Sequence, residues 1–355
     1  MSRARDLADL GGSADAGGLT GRNLIINGAM TISQRNGTSS TTPANFAYLT
    51  DRFQFRSTQG SKFNAEQSTT AATGFKNSLK MTVASAYTVT SSDHFGVRQF
   101  IEGQNISHLE WGTANAKSVT LSFWVRSSVT GTHSGALGNS GDARAYPFSF
   151  TVSSADTWEY KTISIAGDTS GTWLDTNGIG IKVNFNLGAG SNHLAAAGSW
   201  TTGEIVGATG SVSVVGTASA TFYITGVQLE VGETATDFEH RSFGDELAKC
   251  QRYYDTSYTY GTAVGTATFD GTIIGSRADG AFHCNIKYST TMRTAPTITM
   301  YNPSTGTSGQ VRNVQTNANE TSSGFQITEK KAAFNGTTGT VGHGLQGHYV
   351  AEAEL

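Results

Sequence analysis

Asp156 and Glu159 stand three residues apart on either side of Trp158. Two carboxylates beside an aromatic ring are the parts a glycoside hydrolase needs, an acid and a base placed across the sugar. Their local context points the other way. Asp156 reads as a turn acid and Glu159 as a strand-surface acid next to a packed ring. No other catalytic constellation occurs. There is no GxxxxGK[ST] phosphate loop and no GxSxG elbow, and Gly178-Ile179-Gly180 and Gly188-Ala189-Gly190 lack the helix a dinucleotide site requires. His343 and His348 are five residues apart, not a helical ligand spacing, and their neighbouring glycines suggest a loop. Cys250 and Cys284 form no CxxC pair, which excludes a zinc ribbon within one chain. Two reduced, partly buried thiols are expected. No enzymatic activity, metal or cofactor is therefore expected.

Tryptophan is the residue type left with chemistry to offer. Sugars bind by stacking CH faces on exposed rings, with amides and hydroxyls bonding the rim. Trp173 and Trp200 lie in Gly-rich loops, between Gly171 and Gly178 and between Gly198 and Gly203. Trp124 falls on the strand face opposite Val119, Leu121, Phe123 and Val125. These three are the candidate carbohydrate contacts. Each ring also fits a core or interface anchor, the role its residue type favours.

The elements that must hold them read as β. Apolar residues alternate with period two in Ile179–Leu187, Val119–Arg126 and Phe222–Val231, and more weakly in Leu79–Val83, Phe95–Ile101 and Tyr160–Ile165. The stretches Ser127–Gly141 and Gly188–Gly203, rich in Gly, Ser, Thr and Asn, read as loops. Many strands without intervening helices predict a sandwich or jelly roll over residues 23–240. One helix interrupts the pattern, over 242–254 within a linking segment 241–255. Ser242 is its N-cap, Asp245 completes a capping-box variant, and Phe243, Leu247, Cys250 and Tyr254 form one apolar stripe. So short a helix needs a surface to pack on, its own domain or sister copies around an axis. The β pattern then resumes in a smaller domain over 256–355, with strands expected at Gly261–Phe269, Phe282–Tyr288, Thr297–Tyr301, Gly324–Ile327 and Gly347–Ala351.

Composition narrows the classes further. Charged residues make up 14 % of the chain, against ~25 % in an ordinary soluble domain. The net charge of −3, without a basic block, leaves no means of displacing phosphate counterions, so no nucleic acid is expected as partner. No run approaches ~20 consecutive apolar residues, so no membrane insertion is expected, and the start of the chain has no apolar signal-peptide core. Residues 1–22 stand apart. They combine a short helix candidate carrying Arg3, Arg5, Leu7 and Leu10 with a Gly-rich tether, too little to fold alone and suited to docking on something else.

Several strings together resemble a known family. They are Asn23-Leu24-Ile25-Ile26-Asn27-Gly28-Ala29-Met30, Asp51-Arg52-Phe53, Ser122-Phe123-Trp124-Val125-Arg126-Ser127-Ser128, Ile224-Thr225-Gly226-Val227-Gln228-Leu229-Glu230-Val231-Gly232, Phe238-Glu239-His240-Arg241-Ser242 and Cys250-Gln251-Arg252-Tyr253-Tyr254, with Met292-Arg293-Thr294-Ala295-Pro296 further on. This set resembles tail-fibre-type proteins of phages, many from marine and environmental sources. The resemblance implies a carbohydrate-binding-module-like jelly roll, a place on the exterior of the virion after assembly in the host cytoplasm, homotrimeric assembly and attachment to a host-envelope glycan. On that footing residues 1–22, with Arg3, Arg5, Leu7 and Leu10, become the virion-attachment peptide, joining other virion proteins. The stripe Phe243, Leu247, Cys250 and Tyr254 becomes the oligomer interface. Two alternatives stay beside the receptor-binding fibre: a purely structural subunit such as a head fibre or capsid decoration, and a polysaccharide-degrading spike.

Overall fold

A computed structural model describes residues 21–278, 281–283, 285–337 and 342–355. Arg3, Arg5, Leu7, Leu10 and Cys284 lie outside the described residues. The chain divides into two compact units, one containing residues 38–241 with the segment up to Thr31, the other Ile32–Gly37 with Ser242–Leu355.

The first unit contains β1 (Gln54–Ser57), β2 (Phe63–Ser68), β3 (Ser78–Val83), β4 (His94–Glu102), β5 (Val119–Ser127), β6 (Gly131–Gly138), β7 (Ala145–Val152), β8 (Glu159–Ile165), β9 (Ile179–Ala189), β10 (Leu194–Ala195), β11 (Gly207–Ala208) and β12 (Thr221–Val231). Two five-stranded sheets run in the orders β1-β4-β9-β6-β7 and β2-β3-β12-β5-β8. Their neighbours are antiparallel. The pairs β3·β12, β4·β9, β5·β8 and β6·β7 are nested, and they alternate between the sheets. An eight-stranded hairpin folded over in this way is a jelly roll, with β1 and β2 as extra edge strands.

The core follows from the period-two pattern. Phe55, Val97, Phe185 and Phe148 from one sheet meet Phe63, Leu121, Phe123 and Ile224 from the other. The phenyl rings interlock edge to face across the gap, Phe123 to Phe185 at 5.1 Å and Phe55 to Phe63 at 5.8 Å between centroids.

One expectation fails here. The segment read as a loop, Ser127–Gly141, contains β6, which is hydrogen-bonded between β7 and β9. Its core face carries His133, Gly135 and Leu137, too little apolar bulk to signal a strand. Gly135 is required there, because a Cβ would run into the Asn184 carbonyl and the Phe148 ring.

The second unit holds α1 (Phe243–Gln251), β13 (Tyr254–Thr256), β14 (Ile273–Ala278), β15 (Ala281–His283), β16 (Asn285–Lys287), β17 (Thr297–Tyr301), β18 (Gln310–Asn313), β19 (Asn319–Thr321), β20 (Gly324–Phe325), β21 (Lys331–Phe334) and β22 (Gly344–Glu352). The long last strand organises it. Its C-terminal half pairs with β13 and β17, its N-terminal half with β14 and β18. A small sheet β16-β21-β20 completes the unit. Tyr288, Met292, Met300, Phe334, Leu345 and Tyr349 lie in its core. No strand forms over Gly261–Phe269. Gly261 and Gly265 take φ of 92° and 83°, which interrupts extended backbone.

The helix is shorter than the stripe suggests. Ser242 caps it by accepting from the Asp245 amide, and it ends at Gln251. Tyr254 belongs to β13, opposite Glu352 of β22. The four stripe residues therefore share no helical face. Cys250 and Tyr254 are buried, so of the four residues expected at an oligomer interface only Phe243 and Leu247 reach solvent. Phe243 is 47 % exposed, edge-on to Tyr260, and Leu247 is half-buried.

Candidate functional site

The outer face of the sheet β1-β4-β9-β6-β7 is where this fold gathers polar side chains. Alternation turns Phe55, Val97, Val183 and Phe185 into the core, so Gln54, Arg56, Arg98, Lys182 and Asn184 line the opposite face. The loop 203–206 borders this face, and a small depression lies there. Arg56 and Arg98, Gly138, Asp142 and Arg144, Lys182 and Asn184, and Glu204–Val206 line it.

Arg56 bonds Glu204 at 2.7 Å, and its Nε donates to His94 Nε2 at 2.5 Å. Lys182 reaches Asp142 at 2.6 Å. Arg98 donates Nε to Gln54 at 2.8 Å and lies over Phe100, 4.3 Å from its ring centroid. Phe46, 49 % exposed, lies within 5.0 Å of the Arg56 guanidinium carbon and 5.5 Å of that of Arg98. Burial, then Arg56, His193 and Arg98, push the pKa of His94 down to about 4. A neutral His94 is the state that can accept from Arg56. The face thus offers planar guanidinium and amide donors beside an open aromatic ring, the groups that bond hydroxyl and carboxylate rims while an apolar sugar face lies on the ring.

The expected tryptophan contacts are elsewhere in the unit's architecture. Trp173 and Trp200 meet buried Trp111 in a mutual edge-to-face cluster, with centroids 4.6 Å, 5.3 Å and 5.5 Å apart. Tyr146 adds a fourth ring, 5.3 Å from Trp200. Every indole N–H is satisfied: Trp111 donates to the Lys117 carbonyl at 2.7 Å, Trp200 to that of Ala166 at 2.8 Å, and Trp173 to Asp168 at 3.2 Å. Asp168 also takes Arg144 in a two-toothed pair, at 2.8 Å and 2.7 Å. Burial alone would raise the Asp168 pKa, but Arg144 and the Ser170 amide hold it below the ordinary range. The cluster therefore ties three loops together and fixes Arg144, a wall of the depression, whose guanidinium lies 5.9 Å from the Trp200 ring. Trp173 and Trp200 are half-buried in it. Trp124 packs at 5.3 Å on exposed Tyr160, on the outer face of the other sheet.

The other residues singled out for chemistry are engaged in local contacts. Glu159 accepts from the Ser153 and Ser154 amides at 2.8 Å and 2.9 Å and from Lys161 at 2.7 Å; Asp156 pairs with Arg126 at 3.3 Å. Both carboxylates are thus engaged in the turn between β7 and β8. His348 is not in a loop. It is buried in β22, stacked on Tyr258 at 3.9 Å, and bonded to the Thr268 carbonyl and the Ser257 hydroxyl. Among the described residues no three His, Cys, Asp or Glu gather as a metal site.

Sequence reasoning missed Phe46, Arg56, Arg98 and Lys182. The outward positions of β1, β4 and β9 carried the signal of the three cations, which alternate there with core residues. Three of the strings that resemble tail-fibre-type proteins, Asn23–Met30, Ile224–Gly232 and Phe238–Ser242, meet at a different place, a seam along β12. A bulge after Thr225 turns Val227 out of the ladder. Its carbonyl then accepts from the Asn23 side chain at 3.0 Å, and its amide donates to Gly28 at 3.0 Å. Gln99 pins Ile26 by both its amide and its carbonyl, at 2.8 Å each. Glu239 accepts from the Asn23 amide at 2.7 Å, and Arg241 donates to the Ile25 carbonyl at 3.1 Å. These strings hold the chain's entry and exit against the sandwich.

The sequence matches no family model and no curated protein. Among solved structures it is similar to the enzymatically active domain of bacteriophage CBA120 tailspike protein 4, at 12 % identity and a TM-score of 0.31 over 56 % of this chain. That alignment spans 22 % of the tailspike chain. A putative sugar binding protein from Bacteroides thetaiotaomicron aligns at 12 % identity and a TM-score of 0.35, over 59 % of this chain and all of its own. A structure described as "CBM4 structure and function" aligns at 16 % identity and 0.29, over 56 % and 100 %. At these values they remain likenesses, and the jelly roll stands on its own strand order.

Proposed function

We propose that this chain is a non-catalytic, carbohydrate-binding subunit of a phage appendage, exposed on the virion and attaching it to a bacterial envelope glycan. One observation carries the reading: the outer face of β1-β4-β9-β6-β7 gathers guanidinium and amide donors around a depression, with the exposed Phe46 ring beside Arg56 and Arg98. The resemblance of the seam strings to tail-fibre-type proteins supports the phage setting. On this reading the assembly is a homotrimer, and residues 1–22 join it to other virion proteins. Three copies turn weak single-site binding into avidity of roughly 10²–10⁴-fold.

The test is adsorption of the purified full chain to bacterial envelopes treated either with periodate, which cleaves sugar diols, or with protease. Binding lost to periodate and kept after protease is the expected result. Binding with the opposite sensitivity would replace the glycan by a protein receptor. A second reading, a structural subunit such as a head fibre, is favoured by the inward packing of the tryptophan cluster. Absence of binding to any envelope, with normal incorporation into particles, would establish it.

A further inference from the structure

The depression on the outer sheet face is lined by more cations than anions: Arg56, Arg98, Arg144 and Lys182 against Asp142 and Glu204. Three of the four cations are matched. Arg56 has Glu204 at 2.7 Å, Lys182 has Asp142 at 2.6 Å and Arg144 has Asp168 at 2.7 Å.

Arg98 is the exception. It is only 8 % exposed, yet no carboxylate among the described residues lies within ion-pair distance of it. Its single hydrogen bond is from Nε to the neutral amide of Gln54. Its two Nη groups have no acceptor among the described residues, and neither is sealed from solvent. A largely buried cation is costly when the nearest acids, Asp142 and Glu204, act on it only from beyond ion-pair distance. Burial, followed by Arg56, pulls its pKa down to about 10, although Tyr48, Asp142 and Glu204 act in the opposite direction. A guanidinium fork held in this way is preorganised for one planar anion.

Resting on the carbohydrate reading above, we propose that this face recognises an acidic saccharide, with a sugar carboxylate bound by the two Nη groups of Arg98. The chain as a whole carries few charges, so a residue count hides this feature. The fold concentrates four cations on one face. Glu204 works against such a ligand, by its own charge and by occupying Arg56.

The experiment is affinity electrophoresis of the full chain through gels containing polygalacturonate, alginate or hyaluronan, each paired with its carboxyl-reduced form, and through a gel containing poly(glycerol phosphate). At least one uronate polymer should retard the protein, and carboxyl reduction should weaken that interaction about tenfold or more, the scale of losing a charge-assisted hydrogen-bonded pair. Arg98→Met should reproduce the loss, with thermal melting to confirm that it folds. Glu204→Gln, on an open edge of the site, should strengthen retardation several-fold by releasing Arg56. Equal retardation by acidic and reduced forms would overturn the acidic assignment and leave glycan binding standing. Retardation by poly(glycerol phosphate) alone would replace the carboxylate with a phosphodiester. Retardation by no polymer would overturn the acidic assignment, and a negative envelope-adsorption result beside it would remove the carbohydrate reading as well.

Discussion

Trp200→Ala separates a ring that touches ligand from a ring that holds the fold. A platform exposed in a loop can be removed with little effect on melting. The structure predicts otherwise. Trp200 packs on Trp111, Trp173 and Tyr146, at 5.3 Å, 5.5 Å and 5.3 Å, and its indole N–H bonds the Ala166 carbonyl at 2.8 Å. A fully buried Trp→Ala change costs ~3–5 kcal/mol. A half-buried ring should lose about half of that, roughly 2 kcal/mol, and the hydrogen bond adds about 1 kcal/mol. The sum is about 3 kcal/mol. In a unit of this size each kcal/mol shifts the midpoint by ~2–4 °C, so scanning calorimetry of the full chain should show Tm falling by about 6–12 °C. Trp200→Phe keeps a ring but loses the N–H, and should fall by about a third as much. Trp124→Ala, which loses only Tyr160 as ring neighbour, should cost about 1 kcal/mol. A Tm unchanged within a degree or so for Trp200→Ala and Trp173→Ala together would refute the anchoring role and return both rings to the ligand surface.

Three further outcomes follow from particular contacts. His94 has its folded pKa lowered to about 4, below the ordinary histidine value of 6.5. The unfolded chain therefore binds the extra proton first, and stability should fall as pH drops through that window, by on the order of 3 kcal/mol. Urea titrations at pH 7, 5.5 and 4.5 would show this, and His94→Gln should flatten the slope; an equally steep slope in that variant would assign the dependence to other groups. Gly28→Ala places a Cβ against the Val227 carbonyl oxygen, whereas Gly60 has open space around it. The first should cost ~3 kcal/mol or more and depress soluble yield, the second almost nothing; equal denaturant midpoints would mean the seam yields easily. Ser242→Ala removes the N-cap bond to Asp245, at 3.2 Å, and should cost ~1 kcal/mol, with Ser242→Asp close to wild type. Hydrogen exchange of the 243–251 amides is the direct measurement, and unchanged protection in Ser242→Ala would show that packing alone holds the helix.

Local chemistry was legible in the sequence wherever the local signal was strong. Period-two alternation located β3, β5, β8, β9 and β12 to within two residues, because a strand with one face in a core must alternate. The Ser242 cap placed the start of α1 correctly, since an N-cap bond involves only residues three apart. Weak local signals misled. β6 was hidden because Gly135 is small to make room for Phe148, a residue on another strand. The strand expected at Gly261–Phe269 is absent because two glycines take positive φ, and glycine identity alone does not say which sign of φ will be used. The site was hidden for the same kind of reason. Trp173 and Trp200 each stand in a Gly-rich loop, and only the folded chain brings them against Trp111, some sixty and ninety residues earlier in sequence. Arg98 reads as one cation among 24 Lys and Arg in a weakly acidic chain. That its neighbours' charges are matched while its own is not depends on pairing partners 24 to 148 residues apart. Sequence determines which residues face inward or outward along a strand, because that is a property of two adjacent peptide units. Which outward residues meet is decided by strand order, and strand order is a property of the whole sandwich.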